Sequence, residues 1–343
     1  MAEEAPWRRS ATEGAESPYR AVPGPPAEAP SYRTLTYEVD GRVARLTFDR
    51  PDQGNAITPD TPAELADAVE RADLDPRVHV IVLSGRGKGF CGGYDLTASA
   101  ERLMDGGPAG AEPQAGTVLD PSVQMLNHDP GATWDPMVDY AMMSRFTKGF
   151  ASLLHANKPT VAKIHGFCVA GGTDIALHCD QIVIAADAKI GYPPTRVWGV
   201  PSAGLWAHRL GDQRAKRLLL TGDTLTGREA AAWGLAIEAP EPEDLDERTE
   251  RLVQRIAAMP LNQLIMVKLA LNSALLAQGV ENSRMISTVF DGIARHTREG
   301  YAFQQRAAAV GFRQAVRERD AAPYDDAGPA TSGVTESTTD SKG

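Results

Sequence analysis

The chain has 343 residues, a formal net charge of −10, 42% hydrophobic residues and 23% charged residues. This length accommodates one large domain or two modest ones, and the composition is that of an ordinary globular protein. The acidic balance argues against non-specific nucleic-acid binding, which needs a basic surface to displace counterions.

The two ends of the chain carry little that a core would bury. Residues 1–31 are rich in Ala, Pro and Glu and lack the apolar run of a signal peptide, and residues 322–343 are similarly biased. We expect both to be disordered tails. No stretch approaches the roughly 20 apolar residues that span a bilayer. We therefore expect a cytoplasmic protein that has no membrane partner.

The three cysteines point to the same compartment. Cys91, Cys168 and Cys179 show neither a paired framework nor metal-ligand spacing, so reduced thiols are expected. Each lies in an apolar or glycine-rich segment, where a thiol serves as a small packing group.

The first elements of the folded unit are short and regular. Alternating hydrophobicity predicts strands at 35–39 and 43–48, joined by a tight turn at Asp40-Gly41. Thr61-Pro62 is typical of a helix start, with Thr61 as the N-cap. The β-branched apolar run at 78–83 then predicts a buried strand that ends in a glycine-rich loop.

Residues 97–137 have a different character, because Gly, Pro and Asp recur there without periodicity. This composition predicts a long surface loop that covers a site as a lid, with simple disorder as the alternative. A helix is predicted to resume near Pro136 and to stop at Lys158-Pro159.

The rest of the chain alternates strand, glycine turn and helix before it becomes helical. Strands are predicted at 160–164 and 181–185, and helices dominate from Asp212 onward. Such repeats predict an α/β fold with helices packed on a sheet. We expect one catalytic domain over 32–321, with a helical region at 245–321.

Two glycine turns carry the chemistry. Gly92-Gly93-Tyr94-Asp95 and Ala170-Gly171-Gly172 each follow a buried strand. Glycines there let the backbone approach a ligand and leave N–H groups unpaired, and the second turn opens a helix whose first amides favour negative charge. Two such amides aimed at one point make an oxyanion hole. A plain tight turn is the alternative for either segment alone, and neither has the spacing of a nucleotide-binding loop.

These turns and other segments in the same order resemble the crotonase superfamily, also called the enoyl-CoA hydratase/isomerase family. The resemblance covers about residues 33–325. The matching segments are Arg50-Pro51 with Asn55-Ala56-Ile57, Phe90-Cys91-Gly92-Gly93-Tyr94-Asp95-Leu96, Lys158-Pro159-Thr160-Val161-Ala162 with His165-Gly166, Thr221-Gly222 with Ala230-Ala231-Ala232-Trp233-Gly234-Leu235, and Gly311-Phe312 with Arg319-Asp320.

The resemblance implies a crotonase-type α/β fold: stacked β-β-α repeats in a spiral, followed by a C-terminal helical region. It also implies an acyl-CoA substrate, with coenzyme A as part of that substrate, no separate cofactor, and a homotrimer or dimer of trimers assembled through 245–321. No metal is expected, because His178, His208 and His296 lack ligand spacing.

Site residues are implied by the same resemblance. The backbone amides of Tyr94 and Gly171 are expected to form the oxyanion hole for the thioester. The residues expected to contact substrate are Ala56, Cys91, Gly92, Gly93, Asp95, Leu96, Pro194 and Trp198.

The acid–base groups depart from the family pattern. Classical hydratases of the family use two carboxylates, of which the first maps to Asp174 and the second to Pro194. Proline cannot exchange a proton, so a two-carboxylate hydration mechanism does not transfer. One carboxylate can still support double-bond isomerisation or activate water. The alternative is that Asp174 has only a structural role, since the helix dipole stabilises an acid in the first turn of a helix.

Three functions follow from these residues. The first is a hydratase/isomerase-class enzyme that acts on an acyl-CoA with Asp174 as base. The second is a C–C bond hydrolase of β-diketones or β-keto acyl-CoAs, in which His165 and Asp174 activate water as in similar family members. The alternative is that His165 has no catalytic role, because histidine is common at this position in family members of many activities. The third function is a non-catalytic binding subunit.

Overall fold

The structure is a computed structural model that describes residues 31–95 and 116–321, together with residues 9, 12, 13 and 18. Nearly all of the two predicted tails, 1–31 and 322–343, lies outside the described residues. So do Leu96 and residues 97–115 of the predicted loop.

Strands and helices alternate in the first part of the described chain, and helices form the last part. The strands are β1 (Leu35–Asp40), β2 (Val43–Phe48), β3 (Val80–Gly85), β4 (Thr160–Ile164), β5 (Phe167–Val169), β6 (Gln181–Ile184), β7 (Lys189–Gly191) and β8 (Thr224–Thr226). The helices are α1 (Thr61–Leu74), α2 (Pro121–Asn127), α3 (Pro136–His155), α4 (Gly171–Leu177), α5 (Ala203–Leu210), α6 (Asp212–Thr221), α7 (Gly227–Trp233), α8 (Leu245–Ala257), α9 (Leu261–Ala277), α10 (Val280–Arg295), α11 (Arg298–Val310) and α12 (Phe312–Ala321). Short 3-10 helices lie at Pro51–Gln53, Pro193–Arg196 and Pro242–Asp244.

Two sheets organise these elements. The larger has the order β1-β2-β3-β4-β6 and the smaller has the order β5-β7-β8. β1 and β2 form an antiparallel hairpin, whereas β2, β3, β4 and β6 run parallel. Parallel neighbours need crossover connections, which here contain α1, α3 and α4. The carboxyl ends of β3 and β4 therefore lie at one edge of the sheet. The first glycine turn comes after β3, and the second comes after β5, which follows β4 along the chain.

Helices cover the parallel strands. α1 packs against α3, and α8 packs across β3, β4 and β6. The first four residues of β3, Val80 to Leu83, are buried, as expected for a parallel strand covered on both faces. The core joins these strands to the inner faces of α1 and α3, through Leu65, Phe150 and Leu153.

The two glycine turns approach each other closely. The Val169 amide donates to the Cys91 carbonyl at 3.0 Å. A Cβ on Gly172 would lie 2.6 Å from that same carbonyl oxygen, and one on Gly93 would lie 2.7 Å from the Ala170 Cβ. Gly93 also has φ +97°, which other residues rarely adopt. These two positions therefore require glycine.

Most of the predicted regular elements are confirmed, and the differences have local causes. The hairpin, the strand at 160–164 and the helix from Pro136 lie where they are predicted. The prediction of Thr61 as the N-cap is wrong, because Thr61 is the first residue inside the helix. The Glu64 carboxylate, expected to complete the cap, accepts hydrogen bonds from the Arg33 and Thr34 amides at 2.8 and 2.9 Å. The three-residue strands of the small sheet escape sequence analysis because they are too short to show a period.

The predicted loop at 97–137 is not wholly irregular. Its described part contains α2, whose first turn is capped by Asp120 through the Ser122 amide at 2.8 Å. Asp120-Pro121 combines a capping side chain with proline at the first helical position, so the start signal is present in the sequence. The prediction of one unbroken loop is therefore wrong for this part.

Helices α9 and α10 carry many exposed apolar side chains, here named together the α9–α10 apolar face. Its members are Met266, Val267, Leu269, Leu271, Met285, Ile286, Val289, Phe290 and Ile293. By length and composition, not one described helix taken singly could cross a membrane. The pair Pro242–Ala257 and Leu261–Ala277 meets that criterion only jointly, with a 104° bend between them.

The close approach of the glycine turns predicts a cost for Gly172→Ala. We expect the free energy of unfolding to fall by about 1–3 kcal/mol, because the new methyl group would meet the Cys91 carbonyl oxygen. Urea unfolding followed by circular dichroism measures this. Gly131→Ala is the matched control, since its nearest atom is the end of the Asp129 side chain at 3.3 Å. An unchanged midpoint for Gly172→Ala would contradict the packing described above.

Candidate active site

The first glycine turn directs one amide away from its neighbouring strand. Tyr94 forms a parallel bridge with Ile57, in which the Ile57 amide donates to Gly93 at 2.8 Å and the Asp95 amide donates to Ile57 at 2.9 Å. In such a bridge the amide of the middle residue points to the opposite side. Within the described part of the chain, the Tyr94 amide has no hydrogen-bond acceptor.

The second turn supplies another amide beside the first. Gly171 is the first residue of α4, so its amide has no acceptor within the helix. A Cβ on Gly93 would lie 3.4 Å from the Gly171 nitrogen, which places the two turns in contact. Residues 31–95 and 116–321 provide no protein acceptor for this amide either. The arrangement can donate two hydrogen bonds to an oxygen.

Backbone strain is concentrated at this site. Asn55 and Ala170, at φ 54° and 53°, are the non-glycine residues with positive φ in the described chain. Asn55 is held by bonds from its side chain to Arg86 and Gly89, each at 2.9 Å. Ala170 directly precedes Gly171. Strained backbone of this kind persists where the surrounding structure holds it, and it is typical of functional sites.

A small cavity is lined by Tyr94 of the first turn and by Asp174, three residues after Gly171. Its volume is about 10 Å³, the space of about one water molecule. The polar and charged side chains on its wall are those of Tyr94, Thr147, Asp174, Tyr192, Ser202, Ser287, Thr288 and Asp291.

Asp174 is the acid that the sequence places at this site. Its side chain lies in the cavity wall and the residue is only 4% exposed. The Ser202 amide donates to its Oδ1 at 2.8 Å. Burial raises the pKa of Asp174 to about 7, against the lowering effect of the Ser202 bonds and with a smaller raising effect from Asp291. A carboxyl group poised near neutral pH can both accept and donate a proton.

Asp291 is a second acid in the same cavity, and sequence analysis did not identify it. Its Oδ1 accepts a bond from the Val200 amide at 3.1 Å, and Arg295 lies 3.3 Å away, one turn along α10. Burial raises the pKa of Asp291, and Arg295 opposes that effect. No motif surrounds this residue, so only the packing of α10 against the site reveals it.

Two tyrosines complete the wall. The Tyr94 ring packs edge-on against Phe146, at 5.5 Å between centroids, and covers Gly171. Burial raises the pKa of Tyr94 and of Tyr192 well above the ordinary value, and Asp174 adds to both shifts. Both phenols are therefore neutral and can serve as hydrogen-bond donors.

Several residues expected to contact substrate also support the turns. Arg50 pairs with Asp95 at 2.8 Å and donates to the Ala56 carbonyl at 2.5 Å, so it ties these two positions together. The Gly92 amide donates to Gly54 at 2.9 Å. Cys91 is buried, which raises the pKa of its thiol to about 12, and this thiol is a packing group.

The structure does not bring together His165 and Asp174. The His165 Nε2 atom lies 2.8 Å from the Gly87 carbonyl oxygen, and its ring is near enough to lower the pKa of Asp246 on α8. The cavity wall does not include it. The expected His–Asp pair is therefore corrected, because spacing along the chain did not fix the direction of the histidine side chain.

Trp198 and Pro194 also lie apart from the cavity wall. Trp198 packs with Phe303 and Phe312, at centroid distances of 5.4 and 6.2 Å, in a separate apolar cluster. Pro194 lies in a 3-10 helix, where its carbonyl accepts from the Val197 and Trp198 amides. The expectation that these two side chains contact substrate stays a prediction. Leu96 is outside the described residues.

A cluster of His128, Asp139 and His296 could in principle offer three metal ligands within 4.8 Å. The two imidazole rings are stacked, 4.5 Å apart and 7° from parallel, and both nitrogens of His296 already have partners, Tyr301 and Asp139. Asp139 Oδ2 already accepts bonds from Asn127 and Trp134 and pairs with His296. This geometry favours a buried hydrogen-bond network.

The raised pKa of Asp174 has a consequence for stability. Since the folded-state pKa of about 7 exceeds the ordinary 3.8, the folded state holds the proton more tightly, and stability is lost as pH rises through this range. The Asn side chain of Asp174→Asn does not titrate, so this variant does not lose stability in that way. We therefore expect the free energy of unfolding of the variant minus that of the wild type to increase as pH rises through this range, by at most about 4 kcal/mol. Urea unfolding at several pH values measures the difference. The exposed Asp187→Asn is the control, and a difference independent of pH would contradict the burial effect.

Comparison with known proteins identifies the family of the chain. The model of the family described as "Enoyl-CoA hydratase/isomerase" matches residues 38–112 and 135–308. A crystal structure of an enoyl-CoA hydratase from Mycobacterium smegmatis is 68% identical, covers 84% of this chain and 94% of its own, and gives a TM-score of 0.78.

Two further relatives have narrower names. The (E)-benzylidenesuccinyl-CoA hydratase of Thauera aromatica is 29% identical over 80% of this chain and 97% of its own length. The 1,2-epoxyphenylacetyl-CoA isomerase of Escherichia coli is 27% identical over 69% of this chain and 80% of its own length. The predicted family, fold class and enzyme class are thereby confirmed. The chain belongs to the enoyl-CoA hydratase/isomerase family and is an enzyme of the hydratase/isomerase class with the crotonase fold.

Proposed function

We propose that the Tyr94 and Gly171 amides bind the thioester carbonyl of an acyl-CoA and that Asp174 transfers the proton at its acyl chain. The observation that carries the proposal is the position of Asp174. This carboxyl group is buried three residues after Gly171, in the wall of a cavity that Tyr94 also lines, and its pKa is about 7.

The amides act on the charge that develops during reaction. When a base removes a proton from the carbon next to the thioester, the electron pair moves onto the carbonyl oxygen. Two amides that are fixed before substrate binds stabilise this enolate without reorganising. The acyl-CoA thus brings its own coenzyme A, and the chemistry needs no separate cofactor and no metal.

Asp174 moves the proton in this scheme. Its carboxylate accepts a proton from one carbon of the acyl chain and returns it to another, so that the double bond shifts and no atom is gained or lost. A single carboxylate near neutral pKa is sufficient for this isomerisation.

The rival functions have less support from the site. A C–C hydrolase that relies on His165 and Asp174 needs the two side chains together, and His165 instead contacts the Gly87 carbonyl. A non-catalytic role does not account for a buried carboxyl group near two amides that have no acceptor among the described residues.

Assembly and location extend the proposal. We infer a homotrimer, or a dimer of trimers, in which the α9–α10 apolar face within 245–321 contacts other copies, because nine large apolar side chains exposed on two neighbouring helices are typical of an interaction site. Residues 32–321 then form one catalytic domain. Three buried free cysteines support a cytoplasmic location.

The first test is Asp174→Asn, which keeps the size of the side chain and removes its proton transfer. We expect kcat to fall by at least about 100-fold, with circular dichroism unchanged. Mass spectrometry and NMR of products from a panel of enoyl-CoAs and cyclic β-diketones measure turnover. The exposed Asp187→Asn is the control and should match the wild type. An Asp174→Asn enzyme with full activity would contradict the proposed function.

The second test concerns assembly. We expect Leu271→Glu combined with Ile286→Glu to dissociate the oligomer, because charges would replace side chains that are 67% and 49% exposed in the single chain. Light scattering after size exclusion gives the mass. Leu220→Glu on α6 is the matched control, since Leu220 is 82% exposed outside this face. A wild type with the mass of one chain would contradict the trimer.

A further inference from the structure

The cavity contains a second carboxyl group, contributed by α10. We propose that Asp291 is a catalytic residue and that, together with Asp174, it adds water to the double bond of an enoyl-CoA. The inference rests on the proposed function, because it needs the oxyanion amides and Asp174 to act as described. It gives the enzyme the second carboxylate that proline at position 194 cannot provide.

One short segment anchors both carboxyl groups. The Ser202 amide binds Asp174 Oδ1 at 2.8 Å, and the Val200 amide binds Asp291 Oδ1 at 3.1 Å. Residues two apart in sequence are separated by at most about 7 Å. The two carboxyl groups are therefore anchored side by side, and both line the water-sized cavity.

Both acids also lie near the two tyrosines of the cavity wall. The negative charge of Asp174 raises the pKa of the Tyr94 and Tyr192 phenols, and the charge of Asp291 raises them further. Tyr94 belongs to the first glycine turn, whose amide faces the carbonyl in the proposed function. Asp291 is thus close to the place where the acyl chain must lie.

Packing fixes α10 in this position. Gly292 follows Asp291, and a Cβ at that residue would lie 2.9 Å from the Asp139 Cβ on α3. The glycine lets the two helices approach closely. This approach brings Asp291 to the cavity wall, where Met143 and Thr147 of α3 also lie.

The charges around the two acids divide their roles. Arg295 lies 3.3 Å from Asp291 and favours its ionised form, against burial and the more distant Asp139. Asp174 is held by the uncharged Ser202 amide and is raised further by Asp291. Two titratable groups whose surroundings differ in this way are typical of an acid–base pair. Asp291 is the base and Asp174 is the acid.

The reaction balances with these two groups and one water molecule. The ionised Asp291 takes a proton from water as the oxygen bonds to the β-carbon, and the π electrons move onto the thioester oxygen held by the amides. The enolate then collapses, and its α-carbon takes the proton of Asp174. Proton transfer from Asp291 to Asp174 through water in the shared cavity restores both groups. The net change is addition of one water molecule.

The test separates hydration from proton exchange at the α-carbon. Hydration is followed with short- and long-chain trans-2-enoyl-CoAs by loss of the conjugated absorbance. Exchange is followed by NMR with the matching saturated acyl-CoAs in D₂O, a reaction that needs only the oxyanion amides and Asp174. We expect Asp291→Asn to lower kcat for hydration by at least about 100-fold, with little change in KM and with exchange retained. Asp291→Glu should recover part of the rate.

Controls distinguish this role from a structural one. Glu281→Gln removes another acid of α10 that pairs with an arginine, Arg284, outside the cavity, and it should leave both reactions unchanged. Loss of the proposed function would appear separately, as full exchange by Asp174→Asn. Hydration by Asp291→Asn at the wild-type rate would overturn the inference. So would a wild-type enzyme that exchanges α-protons but hydrates none of the enoyl-CoAs.

Discussion

The contact between the backbones of the two glycine turns determines the geometry of the site. The first turn comes after β3 and the second comes after β5. Gly172 of the second turn lies directly against the Cys91 carbonyl. Gly93 meets Ala170 in the same way. Because no side chain fits between them, the Tyr94 and Gly171 amides are held in place before any substrate arrives. The strained φ of Ala170 is a local cost of that arrangement.

Burial of acids is the second physical feature of the site. Asp174 and Asp291 line one small cavity, and Arg295 lies beside only the second of them. A carboxyl group taken out of water holds its proton more strongly, and a neighbouring like charge adds to that effect. The same burial that reduces stability at higher pH therefore keeps a proton available for transfer. Activity and stability are coupled through one side chain.

Sequence reasoning reached the parts of the site that lie on short, ordered motifs. The glycine turns, Asp174 and the replacement at Pro194 all follow from local patterns, and so do the large-sheet strands. Other positions depend on packing between distant segments. Asp291 reaches the cavity because Gly292 lets α10 approach α3, and Trp198 packs with Phe303 and Phe312 of the C-terminal helices. The direction of the His165 side chain likewise depends on the Gly87 loop.

The central claim is that two fixed amides polarise the thioester carbonyl before any proton moves. It is tested by ¹³C NMR of an enoyl-CoA that is labelled at this carbonyl and bound to the Asp174→Asn enzyme, in which turnover is blocked. Hydrogen bonds to the oxygen withdraw electrons from the carbon, so the account predicts a clear downfield shift of the carbonyl resonance on binding. A bound resonance at the position of the free thioester in water would contradict the account.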